Sequence, residues 1–148
     1  AGTDELRDLD TYGGWLRAHG LPDRSTSADL DAARRLRAAL RSAVGDSADP
    51  APAPTEVAVP VRVGLDSGRR PTLLAGDPLG IVAAAAVGLS GDGRWDRVKI
   101  CPADDCRWAF YDRSKNRSRH WCSMEGCGTK AKSRAFRERQ RAGPRARR

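Results

Sequence analysis

Cysteine is missing from the first hundred residues of this 148-residue chain, then occurs four times between positions 101 and 127. Long apolar runs are missing as well. The longest, "IVAAAAVGL", is weakly hydrophobic and far too short to cross a bilayer, so no membrane partner is expected. The opening "AGTDELRDLD" is acidic and polar, unlike a signal peptide. A reducing, cytoplasmic setting is therefore expected, where four cysteines seldom mean two disulfides. Residues 1–93 contain no Gly-rich phosphate loop, no nucleophile motif and a single histidine, His19, with no partner assignable from sequence. They offer nothing that resembles catalytic equipment. Lysine is scarce beside arginine, 4 against 23, the bias of a GC-rich bacterial genome.

Charge is abundant and uneven. The chain carries a net +8, but residues 94–148 hold 17 Lys and Arg against 6 Asp and Glu, whereas residues 1–93 hold 10 against 13. A polyanion-binding module attached to a mildly acidic one accounts for this asymmetry better than a solvated basic tail does.

The pattern along the chain is that of an α+β protein. Leu6, Leu9, Tyr12 and Leu16 recur at helical spacing, interrupted by Gly13 and Gly14 and closed by Gly20 and Pro22. A second helix over 27–44 has Ser27 as its expected cap, Asp29 in its first turn and Gly45 after its end. Its apolar stripe is Leu30, Ala33, Leu36, Leu40 and Val44; Arg34, Arg35, Arg37 and Arg41 read as a solvated face. "GDSADPAPAPTE" (45–56) reads as a linker, "VAVPVRV" as an edge strand, "DSGRR" as a turn and "PTLL" as the returning strand. Asp77 and Pro78 then start a third helix, whose Ile81, Val82, Ala85, Val87 and Leu89 are expected to pack on the first two. The expected division is a first domain at 1–93, a second at 94–142 and a disordered basic tail at 143–148.

Cys101-x4-Cys106, fifteen residues, then Cys122-x4-Cys127 is the arrangement of a structural zinc site. Two short loops each fold a pair of thiolates toward one point, and the insert brings the pairs together. An iron–sulfur cluster also takes four thiolates, but these spacings do not match ferredoxin runs. His120 is read as an exposed residue, since four thiols already complete the set. "RWAFYD" and "SRHWC" read as a hairpin with "RSKNRS" as its turn, and "GTKAKSRAFRERQR" as a helix whose first turn carries Cys127. Knuckle, hairpin, basic helix is the order of a treble-clef finger. Some fifty residues with few aromatics (Trp108, Phe110, Tyr111, Trp121, Phe136) cannot sustain a core unaided, so one Zn2+ per chain is expected to supply it. The aromatics are accordingly expected to pack around the metal, Tyr111 least firmly.

On the last helix Lys130, Arg134, Arg137 and Arg141 recur at i, i+4, i+7 and i+11, and Lys132 and Arg139 extend the charge round the other flank. Arg113, Lys115, Arg117 and Arg119 add a second basic group. Such clusters suit phosphates, with Arg able to read guanine in a major groove.

The run "CPADDCRWAFYDRSKNRSRHWCSMEGCGTKAKSRAFRER" resembles the CGNR zinc-finger family of bacterial transcription regulators. The matching elements are the Cys-Pro start, Trp108, Phe110, Asp112-Arg113-Ser114 with Asn116, Trp121-Cys122-Ser123-Met124, and Cys127-Gly128 followed by Lys132 and a basic helix. Where the family has Cys-Gly-Asn-Arg, this chain has Cys127-Gly128-Thr129-Lys130, keeping the ligand, the glycine and the positive charge but not the amide. Upstream, "LRDLDTYGGWLRAHGLP" and the helix at 27–44 resemble the ABATE domain that usually precedes this finger, without its usual opening strand and Asn-Thr pair. The resemblance implies a zinc-dependent regulator that binds double-stranded DNA at the nucleoid. It also implies that the N-terminal domain answers to a small-molecule effector or a partner chain. The alternative is a structural-zinc adaptor for RNA or a protein partner. An enzyme is not expected, because four thiolates leave a metal no open position.

Overall fold

Three side-chain caps set the helices of the first part of the chain. A computed structural model describes residues 4–23, 25–46 and 55–141. Asp8 accepts from the Thr11 amide while Thr11 returns a bond to the Asp8 amide, starting α1 (Leu9–Ala18). Thr26 and Asp29 do the same for α2 (Ser27–Ala43), so the cap lies one residue before the expected Ser27. Asp77 accepts from the Gly80 amide at the head of α3 (Pro78–Gly91). Between α2 and α3 lies an antiparallel pair, β1 (Arg62–Leu65) and β2 (Pro71–Leu74), in the register Arg62↔Leu74 to Leu65↔Pro71. β1 begins later than "VAVPVRV" predicts, because pairing runs outward from the turn in which Asp66 Oδ1 accepts from the Gly68 and Arg70 amides. Gly80 is required where it stands: a Cβ there would lie 2.8 Å from the Pro60 carbonyl oxygen.

Tyr12, Leu16, Leu30 and Ala33 form the buried core, with Leu6, Trp15, Leu21 and Leu79 packed against it. Two expectations fail here. Arg34 and Arg37 are not a merely solvated face: Arg34 donates to the Leu6 and Arg7 carbonyls, and Arg37 pairs with Asp4 at 2.5 Å. They tie the segment before α1 to α2. In α3, Val82 and Leu89 are half-buried, but Ile81, Ala85 and Val87 are exposed. The helix is apolar on every side, so packing one side leaves others in water. His19 ends α1 as a polar residue, its ring against Trp15 and its Nδ1 2.8 Å from the Trp15 carbonyl oxygen.

The described residues divide into two compact units, one up to Asp96 and one from Arg97 onward. In the second, β3 (Val98–Ile100) pairs antiparallel with β4 (Ala109–Tyr111), Lys99 opposite Phe110. This corrects the expected hairpin. "SRHWC" contains no strand among the described residues, and the partner of β4 lies before the first cysteine. The reason is the knuckle itself: Cys106 and Arg107 donate to the Ala103 carbonyl, closing a turn that sends the chain back along itself, and Cys101 donates to Trp108 as the next rung. A wide turn (Met124–Gly128) carries Cys127 and leads directly into α4 (Thr129–Arg141). Cys127 thus precedes the helix and does not sit in its first turn. Most of the expected linker and the whole of the expected tail lie outside the described residues.

Candidate metal centre and basic surface

Three local structures deliver the four thiols. Cys101 follows β3 and is fully buried; Cys106 closes the knuckle; Cys122 precedes the wide turn and Cys127 lies within it, where Ser123 accepts from the Gly126 amide. All four sulfurs lie within 4.8 Å of one another, with Cys106–Cys122 at 3.5 Å and Cys122–Cys127 at 3.7 Å. Tetrahedral zinc with bonds of about 2.3 Å requires sulfur–sulfur edges of about 3.8 Å. A disulfide requires about 2.05 Å. The spacing fits one Zn2+ and no disulfide.

The donor set fits the same ion. Burial disfavours the Cys101 thiolate, yet backbone donors at Cys122 and Ala103 and the neighbouring thiols hold its pKa below the usual thiol value. Burial and the surrounding thiols push Cys122 up to about 12, and the Cys106 thiol raises Cys127. Thiolates this close disfavour one another's charge, an arrangement that a dication resolves by displacing the protons. Gly128 is buried against the site; a Cβ there would meet Met124 Sδ at 2.9 Å and Trp121 Cδ1 at 3.3 Å.

The basic residues around the centre fall into groups that spacing did not separate. Arg113, Lys115 and Arg117 are exposed on the loop after β4. Arg119, expected beside them, turns inward: Nε donates to the Trp121 carbonyl at 2.9 Å, Nη2 to the Cys122 carbonyl, and the guanidinium lies 5.3 Å from the Phe110 ring centroid. On α4, Lys130 pairs with Asp105 at 3.5 Å and Arg134 with Asp104 at 3.7 Å, both acids belonging to the knuckle. Lys132, Arg137, Arg139 and Arg141 are exposed.

Asp112 and Ser114 entered the sequence reading only as elements of the resemblance, without the role of holding the loop. Asp112 is wholly buried and accepts from Lys99 Nζ at 2.7 Å, the Ser114 amide at 2.9 Å, Ser114 Oγ at 2.6 Å and the Arg119 amide at 2.9 Å. Burial opposes its charge, but these donors prevail and hold the carboxyl well below the usual carboxylate range. Lys99 also donates to the Arg117 and Arg119 carbonyls, and Arg97 to those of Asp112 and Ser114. The one available signal was an Asp two residues before a Ser at a strand end, the pattern of a side-chain-capped turn. The aromatics also depart from expectation: Trp108 and Phe136 are 57% and 56% exposed and do not pack inside.

Residues 97–140 match the family model for the CGNR zinc finger. Residues 1–93 match that for ABATE, described as "putative stress-induced transcription regulator". No curated protein matches the chain.

Proposed function

The chain belongs to the ABATE family and ends in a CGNR zinc finger, and from that premise we propose that it is a zinc-dependent regulator of transcription that grips double-stranded DNA. The division of labour in this reading is a regulatory domain at 1–93 and a DNA-binding finger at 94–142. Cys101, Cys106, Cys122 and Cys127 ligate one structural Zn2+. The carrying observation is that a fastened loop presenting Arg113, Lys115 and Arg117, and a helix presenting Lys130, Arg134, Arg137 and Arg141, belong to the same four-cysteine unit. The cysteines link the two elements, so two basic surfaces have a fixed separation, as the regular spacing of phosphates demands. Arg119 serves this reading by positioning the loop's end, not by touching DNA. Lys132 and Arg139 lie on the other flank of α4 and contact backbone only where DNA wraps that side. The metal is read as structural, and the finger as a binding module with no reaction of its own.

The test is a salt titration of duplex binding. If the four residues of the α4 stripe meet phosphates, log K falls against log salt with a slope of about −4 from them alone. The pair Arg137→Ala and Arg141→Ala flattens it by about two units while zinc content stays at one per chain. An unchanged slope overturns the reading. One observation favours a second reading: exposed Trp108 and Phe136 suit stacking against unpaired bases, as an RNA-binding adaptor would require. Affinities for duplex DNA and structured RNA at matched salt separate the two.

A further inference from the structure

The basic stripe of α4 does not face empty solvent along its whole length. The knuckle between Cys101 and Cys106 reads Pro-Ala-Asp-Asp, and the turn closed on the Ala103 carbonyl places Asp104 and Asp105 at its outer corner. Their carboxylates stand 3.7 Å from Arg134 Nη1 and 3.5 Å from Lys130 Nζ, the first two positions of the stripe. All four side chains are more than half exposed, so these pairs hold the fold together only weakly. Arg137 and Arg141, one and two turns further on, have no ion pair among the described residues. The acids are not there by the accident of a flexible loop. Cys101 and Cys106 anchor one end of the cluster and Cys127 the other, two residues before α4, so the tetrahedron holds the carboxylates over the start of the stripe.

We propose that Asp104 and Asp105 are resident competitors for phosphate at Lys130 and Arg134, setting the specificity of the finger by suppressing sequence-independent binding. The inference rests on the DNA reading above. A phosphate approaching Lys130 or Arg134 meets a carboxylate already there and must displace it against like-charge repulsion. Arg137, Arg141, Arg113 and Lys115 are free of that penalty and engage any duplex. Lys130 and Arg134 then add their two charges only when the rest of the interface is in register and holds the backbone close. Non-specific affinity is reduced without loss of the contacts available at a correct site. The ratio of the two affinities is what matters among many competing sites.

The test uses the full chain, loaded with one zinc per chain as verified by elemental analysis. Asp104→Asn with Asp105→Asn is compared with the parent on a random-sequence duplex across a range of salt. The expected result is binding about tenfold tighter near 0.1 M salt. The salt slope should steepen by about one to two units, as two unopposed cations release counterions. The same Asn pair is then placed in a Lys130→Ala, Arg134→Ala background, where the gain should vanish. A gain that persists there reflects net charge alone and overturns the proposal. Equal affinity and slope for the parent and the Asn pair also overturn it, while leaving the DNA reading intact. Failure of every variant to bind duplex at any salt removes the DNA reading, and the proposal with it.

Discussion

Asp8 and Asp112 are acidic residues with opposite surroundings and the same tendency. Asp8 heads α1 in the open, and the Thr11 amide, then Arg7 and the Thr11 hydroxyl, lower its pKa to about 2. Its folded pKa lies below the unfolded one, so its contribution is complete above the ordinary carboxylate range near pH 4 and is lost as pH falls through about 2. A carboxyl-resolved NMR titration should place its midpoint there; a midpoint near 4 would show that the cap does not hold in solution. Asp112 is enclosed and joins Lys99, Ser114 and Arg119 in one network. Asp112→Asn keeps the size but removes the charge that Lys99 requires. The Ser114 and Arg119 amides should then lose protection in hydrogen exchange while zinc content stays at one. Retained protection would mean that the loop is held by its own backbone and not by the carboxylate. The role of Asp112 could not be read from residue type alone, since an aspartate before a polar turn looks the same whether it caps, binds or faces water.

The helices were legible in the sequence and the strands of the finger were not, for reasons of range. Asp8, Thr26 and Asp77 act on amides three residues away, within sight of any local pattern. Thr26→Ala should accordingly cost about 1 kcal/mol of the N-terminal unit's stability in a denaturant titration. No change would mean that Asp29 alone satisfies the helix start. The cysteine set was equally legible, because two short spacings leave few ways to assemble four ligands. The β3–β4 pair depends on the knuckle turning the chain so that Val98 meets Tyr111, a contact across thirteen residues that no alternation within "RWAFYD" announces. The basic residues were visible as charge but not as roles. Arg119 bonds carbonyls and Lys130 and Arg134 face acids, a sorting made by tertiary neighbours at distances that spacing does not encode.

At the scale of the molecule, the two units rest on different sources of stability. The first buries Tyr12, Leu16, Leu30 and Ala33; the second has Cys101 and Asp112 as its only buried large side chains among the described residues. Zinc binding of about 10–16 kcal/mol in finger peptides is ample to hold so small a unit. Cys122→Ser, or a strong chelator, should therefore abolish structure over residues 97–141 and leave the helical signal of α1–α3, read as two separate transitions in NMR spectra. A finger that stays ordered without metal would overturn this account. Because zinc must displace protons from its thiol ligands, zinc affinity should also weaken as pH falls. The fastening of the 113–119 loop by Lys99, Arg97 and Asp112 has a calorimetric consequence. A segment that orders only on meeting its partner hides additional surface at that moment and gives binding a large negative heat-capacity change. This loop is already ordered in the free chain, so its association with a polyanion should show a nearly temperature-independent enthalpy.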